Sequence, residues 1–144
     1  MGTTTGYLKK LRAEAKKNLA TGTALLLENA LRENIVQLPS GMQYEILVAG
    51  EGKKPHLKDR ITCHYEGKLL DGTIFDSSLK RKKPVSFGVN EVIEGWIEAL
   101  QLMPVGSKWR LFIPANLAYG DQQVSKEIGA NSTLIFEVEL LSIK

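Results

Sequence analysis

The stretch that decides the fold of this 144-residue chain is Asn90-Glu91-Val92-Ile93-Glu94-Gly95-Trp96-Ile97-Glu98-Ala99-Leu100-Gln101-Leu102-Met103. Its apolar residues recur every three or four positions, which predicts a short amphipathic helix with Asn90 as its N-cap. Pro104 and Gly106 then end the helix. Because the apolar stripe carries Trp96, it needs a large surface to cover it, and we expect a bent sheet to wrap around this helix.

Strand-like runs lie on both sides of this helix. Apolar and polar residues alternate over 42–48, 61–65, 85–87, 109–113 and 134–141, and an Asp71-Gly72 pair between two apolar dipeptides predicts a hairpin. The regular alternation of strands with helices that a parallel sheet requires is absent from the sequence. The sequence therefore predicts an α+β fold with about five antiparallel strands, one short helix between strands and an N-terminal helical arm.

The arm shows a helical period from Tyr7 to about Asn34, with basic residues on the face opposite its leucines. Two β-branched residues flank Gly22, so one kinked helix and two short helices both fit the sequence. The apolar residues between 25 and 35 exceed what a free helix exposes, and we expect them to pack on the rest of the chain or on a second copy. Leu38-Pro39-Ser40-Gly41 breaks the pattern and divides the chain into the arm (1–38) and a second domain (39–144).

Composition excludes several classes of protein. The single cysteine, Cys63, allows neither an internal disulfide nor a cysteine-based metal site. A net charge of +3 predicts no specific nucleic-acid role. No apolar run approaches the ~18 to 20 residues of a membrane span, and residues 1–5 do not open a signal peptide. We therefore expect a cytoplasmic chain, or a periplasmic one if the sequence is a trimmed part of an exported protein.

The motifs of several common enzyme classes are missing. The sequence has no glycine-rich phosphate loop, no His-x-x-x-His pair and no Gly-x-Ser-x-Gly elbow. Cys63 shares a strand face with Tyr65, which predicts a buried, inert thiol. His56 lies in a polar loop and His64 faces away from Tyr65, so we expect no metal site and no cofactor. The basic run 80–83 lacks the neighbouring aromatic residues that would stack on bases.

Aromatic side chains beside polar groups are the feature that remains. Phe75 is followed by Asp76, and a carboxylate next to a core aromatic needs a partner, for which Tyr65 and Arg81 are available. Further aromatic surface comes from Trp96, Tyr119 and Phe136. An apolar pocket with a few convergent polar groups describes a binding site rather than a bond-breaking one.

Five blocks of sequence carry a resemblance to a known family. They are Cys63-His64-Tyr65-Glu66-Gly67, Leu70-Asp71-Gly72-Thr73-Ile74-Phe75-Asp76-Ser77-Ser78, Val92-Ile93-Glu94-Gly95-Trp96, Leu117-Ala118-Tyr119-Gly120 and Ser132-Thr133-Leu134-Ile135-Phe136-Glu137-Val138-Glu139-Leu140-Leu141. In order and spacing they resemble the FKBP family of peptidyl-prolyl cis-trans isomerases, over about residues 39–144. The helical arm is similar to that of the bacterial branch related to the macrophage infectivity potentiator, whose members often dimerise through an N-terminal helical segment.

The resemblance implies a half-barrel of antiparallel strands around the helix, with a proline pocket between them. Trp96 is then the pocket floor, Asp76 lies at the rim, and the Ile93 N–H and the Tyr119 hydroxyl hold substrate carbonyls. The implied catalytic residues are Tyr65, Phe75, Asp76, Ile93, Trp96, Tyr119 and Phe136. The implied substrate-binding residues are Arg81, Val85, Val92 and Ile128.

The resemblance also implies an activity, the rotation of X-Pro bonds in peptides and folding proteins, without a cofactor. The expected partners are proline-containing unfolded or nascent polypeptides, macrolide inhibitors of the rapamycin class and, through the arm, a second copy of the chain. Val85 and the loop 124–130 depart from the family pattern, which predicts an altered macrolide affinity. The alternative function is a non-catalytic chaperone or peptide-binding module that uses the same pocket. A scaffold whose basic helix meets nucleic acid or anionic lipid is a third hypothesis.

Overall fold

A computed structural model of the chain describes residues 2–144. These residues form two α-helices, α1 (Gly2–Asn29) and α2 (Glu94–Leu100). They also form seven strands: β1 (Ile35–Gln37), β2 (Gln43–Val48), β3 (Arg60–Lys68), β4 (Ile74–Ser77), β5 (Val85–Gly88), β6 (Lys108–Ile113) and β7 (Leu134–Ile143). Two short 3-10 helices, Val89–Glu91 and Ala115–Leu117, precede α2 and follow β6.

The strands of the described chain join one antiparallel sheet in the order β1-β2-β6-β7-β3-β4. Strand β3 pairs along one side with β7, and along the other with β5 in its first half and β4 in its second half. Side chains on β3 alternate between buried and less buried, because successive residues of a strand point to opposite faces of the sheet. The buried face of β3 carries Ile61, Cys63 and Tyr65, as the sequence predicts.

The short helix α2 packs on this buried face. Trp96, Ala99 and Leu100 are at most 4% exposed and form one hydrophobic cluster with Leu111 of β6 and Val138 of β7. Burial of side chains as large as Trp96 and Leu100 stabilises the fold by roughly 1.5–3 kcal/mol each. The predicted α+β class, with a sheet against one short helix, is confirmed.

The predicted N-cap of this helix is wrong. Asn90 lies in the 3-10 helix, and Val92 and Ile93 then adopt extended backbone angles before α2 begins at Glu94. Both residues are β-branched at Cβ, which favours extended conformations. Ile93 therefore takes the N-cap position, and its backbone N–H has no acceptor among residues 2–144.

The predicted number of strands, five, is lower than the seven found within residues 2–144. Strand β1 has only three residues, too few for an alternating pattern to mark it. It nevertheless pairs with β2, where Ile35 stands opposite Glu45. Residues 35–37 thus belong to the sheet although they precede the predicted boundary at residue 38.

Within the arm, α1 is one continuous helix over Gly2–Asn29, and Gly22 does not interrupt it. Gly22 is buried where α1 meets Thr133, and a Cβ on Gly22 would lie 2.2 Å from Thr133 Oγ1. The glycine therefore serves close packing between the helix and the residue before β7. The helix ends at Asn29 rather than near Asn34, because the chain turns there towards β1.

The end of α1 and the residues after it are tied to β2. Gln43 Nε2 donates to the Leu26 carbonyl at 2.7 Å, and Arg32 Nη2 donates to Glu45 Oε2 at 2.8 Å. By contrast, Leu27 and Leu31 are 67% and 87% exposed. The chain therefore covers only part of the apolar surface between residues 25 and 35.

Candidate active site

A cavity of about 510 Å³ opens between the start of α2 and the buried face of the sheet. Its volume lies within the ~300–1,000 Å³ that small-ligand sites occupy. Strands β3, β4, β5 and β7 contribute side chains to it, as do the segment before α2 and the loop after β6. The lining residues are Tyr65, Phe75, Asp76, Phe87, Glu91, Val92, Ile93, Trp96, Tyr119 and Phe136.

Trp96 forms the floor of the cavity. Its side chain is buried, and three rings meet it nearly edge-on, with centroid separations of 5.3 Å for Tyr65, 5.8 Å for Phe87 and 5.3 Å for Phe136. Phe75 meets Phe136 in the same way at 5.5 Å. Edge-to-face pairs are favourable because the positive edge of one ring lies on the negative face of the other. The rings therefore hold one another in place as an apolar wall.

Gly67 of β3 makes this ring packing feasible. A Cβ at Gly67 would lie 2.5 Å from Phe75 Cζ and 2.7 Å from Phe136 Cε1, which is far inside van der Waals contact. Any side chain here would push the two rings apart. Glycine weakens a strand, so its presence within β3 is explained by this close approach.

At one corner of the cavity rim, three polar side chains form hydrogen bonds with one another. The Tyr65 hydroxyl donates to Asp76 Oδ2 at 2.5 Å, and Arg81 Nη2 donates to the Tyr65 hydroxyl oxygen at 3.1 Å. Arg81 Nη1 also donates to Asp76 Oδ1 in an ion pair. The Arg81 guanidinium carbon lies 5.9 Å from the centroid of the Tyr65 ring. We call Tyr65, Asp76 and Arg81 the closed corner.

The charges of the closed corner follow from these contacts. Burial raises the pKa of the Asp76 carboxyl, but hydrogen bonds from Tyr65 and Arg81 and the charge of Arg81 outweigh it, so this pKa lies below its ordinary 3.8. Burial, and then the hydrogen bond to Asp76, raise the pKa of the Tyr65 hydroxyl above its ordinary 10.0. At neutral pH Asp76 is therefore an anion, Tyr65 a neutral phenol and Arg81 a cation.

Two hydrogen-bond donors beside the cavity have no partner among residues 2–144. They are the backbone N–H of Ile93, at the N-cap of α2, and the hydroxyl of Tyr119, a side chain that is 37% exposed. A third group, the buried Nε1 of Trp96 on the floor, also lacks a partner within the described chain. We call the Ile93 N–H and the Tyr119 hydroxyl the open donors, because they can donate hydrogen bonds to the carbonyls of a bound peptide.

The lining formed by the described residues contains no cysteine, serine, histidine or lysine. Cys63 is fully buried in the core, as the sequence predicts, and burial raises the pKa of its thiol to about 12. Across residues 2–144, no group of three His, Cys, Asp or Glu side chains could hold a metal ion. The same part of the chain has no helix long and apolar enough to cross a membrane.

Comparison with known proteins identifies the family of this site. Residues 51–141 match the family described as FKBP-type peptidyl-prolyl cis-trans isomerase. The chain belongs to this family. Residues 4–46 match the domain that stands amino-terminal to FKBP-type peptidyl-prolyl isomerases. The resemblance predicted from the five sequence blocks is thereby confirmed.

FKBP-type relatives in bacteria are similar over most of this chain. The outer membrane protein MIP of Legionella longbeachae is 53% identical over 131 residues, which cover 91% of this chain and 56% of the relative. The FKBP-type 22 kDa peptidyl-prolyl cis-trans isomerase of Escherichia coli is 54% identical over 124 residues, which cover 86% of this chain and 60% of the relative. This chain thus spans little more than half the length of the two relatives.

Solved structures show the same FKBP-type fold. FkpA from Escherichia coli matches with a TM-score of 0.90 and 38% identity, covering 95% of this chain and 64% of that chain. A peptidyl-prolyl cis-trans isomerase from Pseudomonas syringae matches with a TM-score of 0.83 and 35% identity, covering 90% of this chain and 96% of that chain. The match to FkpA is extensive enough to include most of α1.

Most residues that the FKBP resemblance selects meet at this cavity. Eight line it, and Arg81 joins them through the closed corner; the eight are Tyr65, Phe75, Asp76, Val92, Ile93, Trp96, Tyr119 and Phe136. Val85 and Ile128 are not among the residues that line the cavity, and their expected role in substrate binding stays a prediction. Val85 stands opposite Cys63 on β5 and packs on the core with a short side chain. Ile128 is 6% exposed because its side chain turns into the core.

Two lining residues were not selected by the sequence analysis. Phe87 stands two positions after Val85 on β5 and therefore shares its face, and its ring lies 6.0 Å from Tyr65 and 5.8 Å from Trp96. Strand alternation could have found it. Glu91 is exposed and pairs with Arg60 at 3.1 Å. A charged residue in a short turn carries no signal in the sequence that would place it at a pocket.

Proposed function

We propose that the chain catalyses cis-trans rotation about X-Pro bonds in peptides and folding proteins. The observation that carries the proposal is an aromatic cavity that meets the open donors, Ile93 N–H and Tyr119 hydroxyl, in a lining without cysteine, serine, histidine or lysine among the described residues. Rotation about an amide breaks no covalent bond, so a nucleophile is not needed. Membership of the FKBP-type family supports the same activity.

The physical mechanism rests on the environment of the amide. Resonance opposes rotation about the X-Pro bond with a barrier of ~18–20 kcal/mol. Water stabilises the planar, charge-separated form of the amide, and a twisted amide has less of this charge separation. Transfer into the apolar cavity over Trp96 therefore destabilises the planar form relative to the twisted one, which lowers the barrier.

Each group around the cavity has a role in this proposal. The proline ring packs on Trp96 between Phe75 and Phe136, and the open donors hold the carbonyls on either side of it. These contacts fix the flanking chain while the central bond turns. The Asp76 carboxylate, kept ionised by the closed corner, lies beside the rotating carbonyl carbon.

The test is the cis-to-trans relaxation rate of a short Leu-Pro peptide. We expect the wild-type chain to accelerate it, and Phe75→Ala to lower kcat/KM by about tenfold or more, since the substitution removes an aromatic wall worth ~1.4 kcal/mol in the transition state. Leu57→Ala, which removes an exposed apolar side chain outside the cavity lining, is the control and should keep the wild-type rate.

Two results would contradict the proposal. If the folded wild-type chain binds proline peptides but does not accelerate them, the chain is a non-catalytic binding module. If Phe75→Ala stays folded and keeps the full rate, the catalytic site lies elsewhere. Circular dichroism of each variant shows whether it is folded.

The proposal includes binding of macrolides of the rapamycin class. The aromatic lining and the cavity of about 510 Å³ support it. Val85 and the loop 124–130 depart from the family pattern, so we expect an altered affinity. Rapamycin should remove the acceleration in the relaxation assay, and calorimetric titration gives its Kd. Absence of both binding and inhibition would contradict this part of the proposal.

A homodimer through the arm (1–38) is a further part of the proposal. Tyr7, Leu8 and Leu19 on α1 are 59%, 46% and 53% exposed, which leaves apolar surface for a second copy. Light scattering after size exclusion should give twice the 15.9 kDa of one chain. A mass of one chain at every concentration would contradict it.

The cytoplasmic location also stays a prediction, and cell fractionation tests it.

A further inference from the structure

The loop between Ala118 and Thr133 carries Tyr119 at its start, and its two ends are fastened to each other. The Asn131 N–H donates to the Gly120 carbonyl at 2.8 Å, and the Gly120 N–H donates to the Ala115 carbonyl at 2.7 Å. The backbone at Asn131 is therefore bonded directly to the residue that follows Tyr119. A displacement of Asn131 is transmitted to Tyr119 through one hydrogen bond and one peptide unit.

Helix α1 holds the same end of the loop. Asn18 Nδ2 donates to the Ala130 carbonyl at 3.0 Å, and Asn131 Nδ2 donates to the Ala15 carbonyl at 3.4 Å. The two amides thus form a reciprocal pair of bonds between helix and loop. Asn131 has a φ of +60°, a left-handed conformation that asparagine tolerates better than most residues. Asparagine at position 131 therefore suits both the left-handed backbone and the hydrogen bond to the Ala15 carbonyl.

The middle of the loop is held by Ile128, whose side chain packs in the core, and by hydrogen bonds within the loop. Its own hydrogen bonds include Val124 N–H to the Ile128 carbonyl at 3.1 Å and Ile128 N–H to Ser125 Oγ at 3.0 Å. Both lie between residues 124 and 128 and do not reach Tyr119. Near residue 131, the side-chain hydrogen bonds that join the loop to another element of the described chain are the two with α1.

We propose that Asn18 and Asn131 are positioning residues that set the place of the Tyr119 hydroxyl through this loop. The inference rests on the proposed function, because Tyr119 is there an open donor that holds a substrate carbonyl. It makes α1 a working part of the isomerase unit and not only an arm. If the position of the Tyr119 hydroxyl is not fixed, its hydrogen bond to the substrate carbonyl is weaker. The bond is weakened equally in the ground state and in the transition state, so KM rises while kcat changes little.

The experiment uses the full chain with single substitutions. Asn18→Leu replaces the side chain by one of similar size that favours a helix, and it removes the amide. Asn131→Gly keeps the left-handed backbone and the N–H to Gly120 but removes the bond to Ala15. We expect each to raise KM for a proline peptide by about threefold to tenfold, with kcat within twofold of wild type. Asn18→Gln, which keeps the amide, should restore part of the loss.

The matched control is Arg32→Gln. It cuts the bond from the residues after α1 to Glu45 and does not touch the loop, so stability should fall while KM stays unchanged. If Arg32→Gln raises KM as much as Asn18→Leu does, the effect is a general loss of stability and the proposal is overturned. If Asn18→Leu and Asn131→Gly both keep the wild-type KM, it is also overturned.

A second measurement separates this inference from the proposed function. In ¹H–¹⁵N spectra, Asn18→Leu and Asn131→Gly should shift the backbone amides of Tyr119, Gly120 and Asp121, whereas Arg32→Gln should not. These shifts do not depend on activity. A wild type that fails to accelerate rotation while the shifts occur would overturn the function and leave the link between α1 and the loop standing. Shifts confined to residues 15–22 and 129–133 would overturn the link itself.

Discussion

The closed corner and the open donors use similar polar groups in opposite ways. In the closed corner, the Tyr65 hydroxyl and both Asp76 oxygens have partners within the corner itself. The open donors, Ile93 N–H and Tyr119 hydroxyl, have none among residues 2–144. Both sets border the same cavity of about 510 Å³.

This difference indicates which groups bind the substrate. A donor beside an apolar cavity that has no partner in the described chain is available to a carbonyl of a bound ligand. A group that already has its partners holds the geometry of the site instead. We therefore expect changes in the closed corner to affect both stability and turnover, and changes in the open donors to affect turnover alone.

Breaking the closed corner at its centre should give the largest effect. Asp76→Leu leaves the Tyr65 hydroxyl and the Arg81 guanidinium without their carboxylate. We expect kcat/KM to fall about tenfold or more and the free energy of unfolding to fall by ~1–2 kcal/mol, because two hydrogen bonds are lost at a half-exposed site. Peptide relaxation and urea denaturation measure the two quantities. Asp76→Asn keeps the shape of the side chain, and its kcat/KM should lie between those of the wild type and Asp76→Leu. Equal kcat/KM for the wild type and both variants would argue against any role for the carboxylate.

Removing an open donor should give a smaller and purely functional effect. Tyr119→Phe keeps the ring and deletes a hydroxyl that has no partner in the described chain. We expect KM to rise by roughly threefold to tenfold, as the loss of one neutral hydrogen bond of ~0.5–1.5 kcal/mol predicts. The urea midpoint should not move. A fall in stability of more than ~0.5 kcal/mol would show that Tyr119 has a structural contact and would weaken the distinction between the two sets.

Tyr65→Phe tests the distinction from the other side. The substitution deletes the donor to Asp76 but leaves the Arg81 to Asp76 ion pair and the aromatic wall in place. We expect the unfolding free energy to fall by ~1 kcal/mol and kcat/KM to change by only about twofold. The comparison of interest is with Tyr119→Phe, which removes the same atom. If Tyr65→Phe lowered turnover more than Tyr119→Phe without a stability cost, the assignment of roles would have to be exchanged.

The parts of the site that follow local periodicity were predictable from the sequence. Tyr65 and Phe136 point inward because each stands on a strand of alternating residues, and Trp96 lies on the apolar stripe of a helix. Each of these placements needs only the neighbours along the chain. The alternation that marks Ile61 and Cys63 as core also places Tyr65, so one pattern fixes both the fold and one wall of the cavity.

Other features depend on contacts that no local pattern encodes. Gly22 weakens a helix in isolation, but its packing against Thr133 keeps α1 continuous, and that contact joins distant parts of the chain. The sequence offered both Tyr65 and Arg81 as partners for Asp76, yet only the structure shows that Arg81 also donates to the Tyr65 hydroxyl. The extended backbone at Ile93, which frees its N–H, was hidden by a helical spacing that runs through it. Ile128 sits in an irregular loop, where no period distinguishes a core residue from a rim residue.

The smallest expected effect is that of pH on turnover. A level pH profile is informative because it reports the charges of the closed corner. The pKa of Asp76 is lowered below 3.8 and that of Tyr65 is raised above 10.0. The stability that Asp76 contributes is present above pH ~4 and is lost as the pH falls through its folded pKa, whereas that of Tyr65 is lost only as the pH rises through its raised value. We therefore expect kcat/KM to stay level between about pH 5 and 9. A step within that range would show that a group outside the closed corner controls turnover, because the pKa of Asp76 is lowered from 3.8 and that of Tyr65 is raised from 10.0, so neither changes its protonation there.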